Sequence, residues 1–133
     1  MQTFLPFPDF KKSLLFLDNK RLGKQRVEAK TLLDGKWQNH PASKMWRGYE
    51  TALAVYYNES LHVWEKKGGQ NIKLKPVIIV EQTFEMPWWF GYREFHLAHL
   101  RALYAKWHGG HYAYLWPLDK PNFYKGVTKW VEK

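Results

Sequence analysis

From Asp18 onward the apolar residues recur at helical intervals. Leu22, Ala29 and Leu33 form one narrow stripe on a helical wheel, the stripe that faces a core. Asp18 is a good N-cap and Asp34-Gly35 a stop, so the pattern predicts a helix that ends at Leu33. Arg21, Lys24, Gln25 and Glu28 share the neighbouring face. Glu28 sits one turn from Lys24 and two turns from Arg21, a lone carboxylate in a cationic surface. Gly23 lies in the same turn and, with no side chain, allows a close approach. An exposed helix face with an i,i+4 ion pair accounts for this arrangement. So does a catalytic acid or base set beside a polyanion.

The same reading extends along the chain. Met1 to Pro8 is apolar and interrupted by Pro6 and Pro8, which predicts an extended, packed segment. Asp9 caps a short helix over Phe10–Phe16. Lys36 to Pro41 is a connection. Met45, Tyr49, Ala52, Leu53, Tyr56, Leu61 and Trp64 predict a second long helix over about 42–67, stopped by Gly68-Gly69. Val77 to Val80 is a β-branched run too short to assign as strand or buried helical turn. After the aromatic corner Met86-Pro87-Trp88-Trp89-Phe90-Gly91, a third helix is expected over Tyr92–Trp107. Leu97, Leu100, Leu103, Tyr104 and Trp107 are its expected inward face, and His108-Gly109-Gly110-His111 its end. From Tyr112 the tail is aromatic and basic. No repeat or linker interrupts the pattern. The expected architecture is mainly α, one compact domain over 1–133 with about three principal helices.

Composition narrows the function. The net charge is +9, from 21 Lys and Arg against 12 Asp and Glu, which points to a polyanionic partner. Eight Trp, eight Tyr and eight Phe add rings that stack on unpaired bases when they are not filling the core. Charge and rings together favour nucleic acid over an anionic membrane. No apolar run is long enough to span a membrane, and no signal peptide opens the chain. The absence of cysteine excludes disulfides, Cys-ligated zinc and iron–sulfur clusters, and is compatible with a cytoplasmic protein.

The remaining chemistry is sparse. His96 and His99 have the spacing of a helical ligand pair but no third ligand at a telling distance, so no metal is expected. No glycine-rich loop precedes Lys-Ser or Lys-Thr. Ser13, Ser43 and Ser60 lack the context of a nucleophile.

Several strings resemble one family. They are the opening Met1-Gln2-Thr3-Phe4-Leu5-Pro6-Phe7-Pro8-Asp9-Phe10, then Leu22-Gly23-Lys24-Gln25-Arg26-Val27-Glu28. Asn39-His40-Pro41 follows with Met45-Trp46-Arg47-Gly48-Tyr49-Glu50, then Pro87-Trp88 with His96 and His99, and Leu115-Trp116-Pro117. These are similar to the pyrimidine-dimer DNA glycosylase, or phage endonuclease V-like, proteins, and the resemblance spans nearly the whole chain. It implies an all-α, cofactor-free enzyme on double-stranded DNA. It further implies that an N-terminal amine attacks the sugar C1′, that an imine forms, and that β-elimination then cuts the strand.

Carried onto this chain, the resemblance makes Glu28 the catalytic carboxylate and the Met1 amine the nucleophile, since bulky Gln2 should leave Met1 in place. Lys20 and Lys24 are the alternatives to Met1. Arg21, Lys24, Gln25 and Arg26 are expected to hold DNA, with Arg47, Arg101 and Lys106 as further contacts. The family's arginines directly before and three after the glutamate correspond here to Val27 and Thr31, with charges displaced to Arg26 and Lys30. Its histidine seven before the glutamate corresponds to Arg21. The expected function is a repair-type glycosylase with abasic-site lyase activity, monomeric and cytoplasmic in a bacterial or phage-infected cell. The alternatives are a glycosylase for another modified base that does not cut the strand, and a non-catalytic DNA-binding protein.

Overall fold

A computed structural model describes residues 2–81 and 83–107. Five helices follow in order: α1 (Phe10–Phe16), α2 (Asn19–Leu33), α3 (Pro41–Trp46), α4 (Glu50–Lys66) and α5 (Arg93–Trp107). The fold is mainly α, three long helices and two short ones, with no strand among the described residues. The expectations placed on Met1, on His108–His111 and on the tail fall outside the described residues.

Caps set the first boundaries. The Asp9 side chain accepts from the Lys12 N–H at 2.8 Å and opens α1, and the Asp18 side chain accepts from the Arg21 N–H at 3.3 Å and opens α2. The helix expected over 42–67 is broken in two. Arg47 is extended and Gly48 has φ +86°, a left-handed turn that glycine enters without strain, so α3 stops and α4 restarts at Glu50. The Val77–Val80 run is neither strand nor helix. Its first residue pairs instead with a side chain: Asn58 accepts from the Val77 N–H and donates to the Val77 carbonyl, both at 2.9 Å.

Helix α4 packs against α1, α2 and α3. Leu22, Ala29 and Leu32 of α2 close onto Leu53, Tyr56, Tyr57 and Leu61 of α4 in one buried cluster. Rings dominate its centre. Trp89 stacks on Phe95 at 4.4 Å, and Trp46 meets Trp89 edge-on at 5.1 Å. Each buried indole also places its N–H: Trp46 on Thr3 Oγ1 and Trp89 on the Met45 carbonyl, both at 2.9 Å.

The buried face of α5 differs from the one expected. Phe95, His96, Ala98, His99, Ala102 and Leu103 are inside, while Tyr104 is half exposed and Leu97 and Leu100 are only partly covered. The expected stripe left out both histidines. They turn the helix because each finds a main-chain partner in the interior. Gly23 also has a different neighbour from a ligand: a side chain there would meet the Trp64 ring at 3.3 Å, so the glycine serves the α2–α4 contact.

Candidate active site

The extended N-terminal segment lies beside α2, and its backbone is bound by side chains. Gln25, on α2 between Arg21 and Glu28, is buried and uses both ends of its amide. Its Nε2 donates to the Gln2 carbonyl at 2.8 Å and to Glu28 Oε1 at 3.1 Å. Its Oε1 accepts from the Phe4 N–H and from the Tyr56 hydroxyl, each at 2.6 Å. Four hydrogen bonds satisfy one amide and fix which end is oxygen. The Tyr56 hydroxyl also reaches the Phe4 carbonyl at 2.9 Å. Gln25, expected on the sequence to hold DNA, is thus committed inside the protein. It joins Glu28 to the segment that begins at the N-terminus.

Glu28 opens into a cleft of about 440 Å³ lined by Gln2, Phe4, Lys20, Arg21, Lys24, Gln25, Glu28 and Lys106. The helix register places Arg21, Lys24 and Glu28 on one wall. The last turn of α5 brings Lys106 from the other side. Burial pushes the Glu28 carboxyl above the ordinary glutamate range. A hydrogen bond from the Gln2 main chain opposes that rise, as do the charges of Lys24 and Lys106. A carboxylate with a raised pKa among four cations is suited to taking and returning a proton near an anionic substrate.

Arg21 is fixed at the cleft edge. Its Nη1 donates to Asp18 Oδ1 at 2.8 Å, and its buried Nε has no hydrogen-bond partner among the described residues. The Trp107 indole donates to the same Asp18 oxygen at 3.0 Å. Burial alone raises the Asp18 carboxyl, but hydrogen bonds from Arg21 and Trp107 and the Arg21 charge outweigh it and hold it at about 2. One helix cap therefore also ties α2 to the end of α5 beside the cleft.

The other expected DNA-binding residues are dispersed. Arg26 turns away from the cleft, with its guanidinium 4.4 Å from the Trp64 ring centre and its Nη1 2.7 Å from Asn71 Oδ1. Lys30, a displaced charge not among the expected contacts, pairs with Asp34 at 2.7 Å. Arg47 donates to the Gln38 carbonyl at 2.6 Å and lines a separate cavity of about 540 Å³, with Lys36, Asn39, Ser43 and Trp46 among its walls. Arg101 is exposed on α5 and is not among the residues lining either space. Lys20, named on the sequence only as an alternative nucleophile, lines the Glu28 cleft.

Sequence reasoning missed two participants. Tyr56 was assigned to the core, and its hydroxyl gave no signal of reaching Gln25. The second role of Asp18 was legible only as its spacing of three from Arg21, a helical ion-pair distance.

No helix among the described residues is long and apolar enough to cross a membrane. No curated protein and no solved structure matches the chain. A family model, pyrimidine dimer DNA glycosylase, matches residues 1–76, more than half of the chain. That span holds Glu28 and every residue lining its cleft except Lys106. The chain belongs to the pyrimidine dimer DNA glycosylase family.

Proposed function

We propose that this glycosylase both excises a damaged base from duplex DNA and cuts the strand, with an N-terminal amine as nucleophile and Glu28 as proton carrier. One observation carries the reading: Glu28 is hydrogen-bonded by the Gln2 main chain, one residue from the amine, inside a cleft lined by Lys20, Arg21, Lys24 and Lys106.

The cations bind phosphate and orient the damaged nucleotide. They act without regard to sequence, as a repair enzyme requires. The neutral amine of Met1 attacks the sugar C1′ as the glycosidic bond breaks, and its electron pair leaves with the base. The departing base takes up a proton. The attached nitrogen gives up a proton, which balances the one taken by the base. Its restored lone pair then expels the ring oxygen O4′, which takes up a proton as a protonated imine forms at C1′. Removal of a C2′ proton forms the C2′=C3′ double bond and breaks the C3′–O bond, whose electron pair leaves with the 3′ phosphate. Glu28 serves the ring-opening and C2′ proton transfers, and its raised pKa suits both directions. An α-amine is about 2.5 pK units less basic than a lysine on reference values, so far more of it is neutral at pH 7.

Lys20 and Lys24 share the cleft and define the second reading, an imine on α2. Reduction with borohydride on abasic-site duplex, followed by digestion and mass spectrometry, tests both. An adduct at Met1 supports the proposal. An adduct at Lys20 or Lys24 moves the nucleophile. Base release with no adduct makes the protein a plain glycosylase, and binding without release makes it non-catalytic.

A further inference from the structure

Helix α5 supplies two buried histidines that the chemistry above does not use. Both bind the same residue of the N-terminal segment. The Leu5 N–H donates to His99 Nδ1 at 2.9 Å, and His96 Nδ1 lies 2.7 Å from the Leu5 carbonyl. The Gly91 N–H donates to His96 Nε2 at 2.9 Å. Nε2 of His96 is therefore an acceptor, and its proton must sit on Nδ1, where it donates to Leu5. His99 has the opposite tautomer, accepting at Nδ1 and carrying its proton on Nε2. One ring accepts and the other donates, matching the N–H and C=O of a single residue.

The rings also pack on Phe90 and Phe95, contacts that an apolar ring would make as well. His96 is 4% exposed and His99 wholly buried, and His99 Nε2 has no hydrogen-bond partner among the described residues. Two apolar side chains would fill the space without that desolvation cost. They would also leave both Leu5 groups unpaired and the segment free to rotate or slide. Burial holds both imidazoles below the ordinary histidine range, well below it for His99, so the neutral tautomers that the pairing needs persist at neutral pH.

We propose that His96 and His99 are positioning residues for the N-terminal nucleophile, clamping Leu5 so that residues 2–4 run along Gln25 and deliver the amine to Glu28. The idea rests on the amine reading given above. Gln25 and Tyr56 hold residues 2 and 4 from the α2–α4 side, and the histidines hold residue 5 from α5. The segment is thereby fixed between α2 and α4 on one side and α5 on the other. Small displacements of a reacting group are expensive: misplacing it by about 1 Å costs up to about 100-fold in rate.

The test compares wild type with His99→Phe and His99→Asn in single-turnover borohydride trapping on abasic-site duplex. Phenylalanine keeps the ring packing against Phe95, 4.3 Å away, but removes the acceptor. Asparagine returns an acceptor oxygen near the position of Nδ1. The expected result is a trapping rate lowered about 10- to 100-fold in His99→Phe, with DNA affinity unchanged, and largely restored in His99→Asn. Wild-type trapping by His99→Phe, when the wild type itself traps, overturns the clamp alone. No adduct from the wild type overturns the amine reading, and the clamp with it. A measurement without any variant stands beside these in case His99→Phe does not fold. Amide hydrogen exchange should show the Leu5 N–H of the wild type as protected as the α5 core. Exchange at the rate of an open amide overturns the proposal.

Discussion

Two faces of α2 carry the same kind of residue to opposite ends. On one face Arg21 and Lys24 stand over a cleft with Glu28 at its floor. On the other, Arg26 lies on Trp64 and hydrogen-bonds Asn71. All three are cations within two turns, and helix register sets Arg26 on another face without saying what that face meets. What separates them is the partner each face meets. The first meets the N-terminal segment, whose backbone is bound by Gln25, so Lys24 projects into the cleft while Arg21 is held by Asp18 at its edge. The second meets the end of α4 and the loop after it, where an indole and a side-chain amide hold the guanidinium. Positive charge is available to a ligand only where the fold leaves it exposed, as at Lys24 on the cleft wall.

The largest effect expected of any change is at the floor of the cleft. Glu28→Gln preserves shape and the bond to Gln25 but cannot carry a proton. Base excision should fall about 10²- to 10⁴-fold. DNA affinity should be equal or higher, because a negative charge leaves a cationic surface. Single-turnover kinetics with a titration of binding measures both, and wild-type turnover would make Glu28 an ordinary surface residue. In the wild type, the raised Glu28 pKa places the acid limb of kcat/KM above the usual glutamate value near 4.5.

The next effect separates the faces directly. If about five cations meet phosphates, log K against log salt should have a slope of roughly −4 to −5. Replacing Arg21 and Lys24 together by Gln should make it shallower by about two. An unchanged slope would mean that the cleft does not hold the backbone.

These expectations also mark how much the sequence revealed. The α2 boundaries, the Glu28 face and the buried Leu22 and Ala29 follow from caps and periodicity, which are local. The break at Gly48 was hidden because the apolar spacing continues through it, and only the left-handed turn reveals two helices. The inward face of α5 was misread because burial of His96 and His99 depends on Leu5, ninety residues away in the chain. Gln25 was grouped with exposed cations for the same reason. Its four partners come from the N-terminal segment, α2 and α4, and no pattern within α2 announces them. The site is legible where chemistry follows helix register and opaque where a polar side chain is satisfied by a distant backbone.

A smaller effect concerns the wall facing the cationic face. Unfolded histidines take up a proton near pH 6.5, while folded His96 and His99 resist it. Their contribution is intact above about pH 6.5. It is lost as pH falls below that value, by up to about 1.4 kcal/mol per pH unit for each histidine. Urea unfolding at a series of pH values between 7 and 5 checks this. His99→Asn, which does not titrate there, should flatten the decline. An unaltered pH dependence would show that His99 is not the group being protonated.

The smallest effect lies on the far face and tests the comparison most sharply. Arg26→Gln removes a charge as surely as Arg21→Gln does, and from the same helix. Its loss should be structural. The guanidinium–indole contact and the bond to Asn71 are together worth about 1–2 kcal/mol at a partly exposed site, and that much stability should disappear from thermal or urea unfolding. Arg26→Lys keeps the charge but not the planar stacking or the fork, so it should lose nearly as much. Excision rate and salt slope should stay at wild-type values in both, since neither the cleft nor its cations change. A slope shallower by about one in Arg26→Gln, but not in Arg26→Lys, would make Arg26 a phosphate contact. The two faces of α2 would then be one continuous binding surface, and Trp64 a resting place that the arginine leaves when DNA arrives.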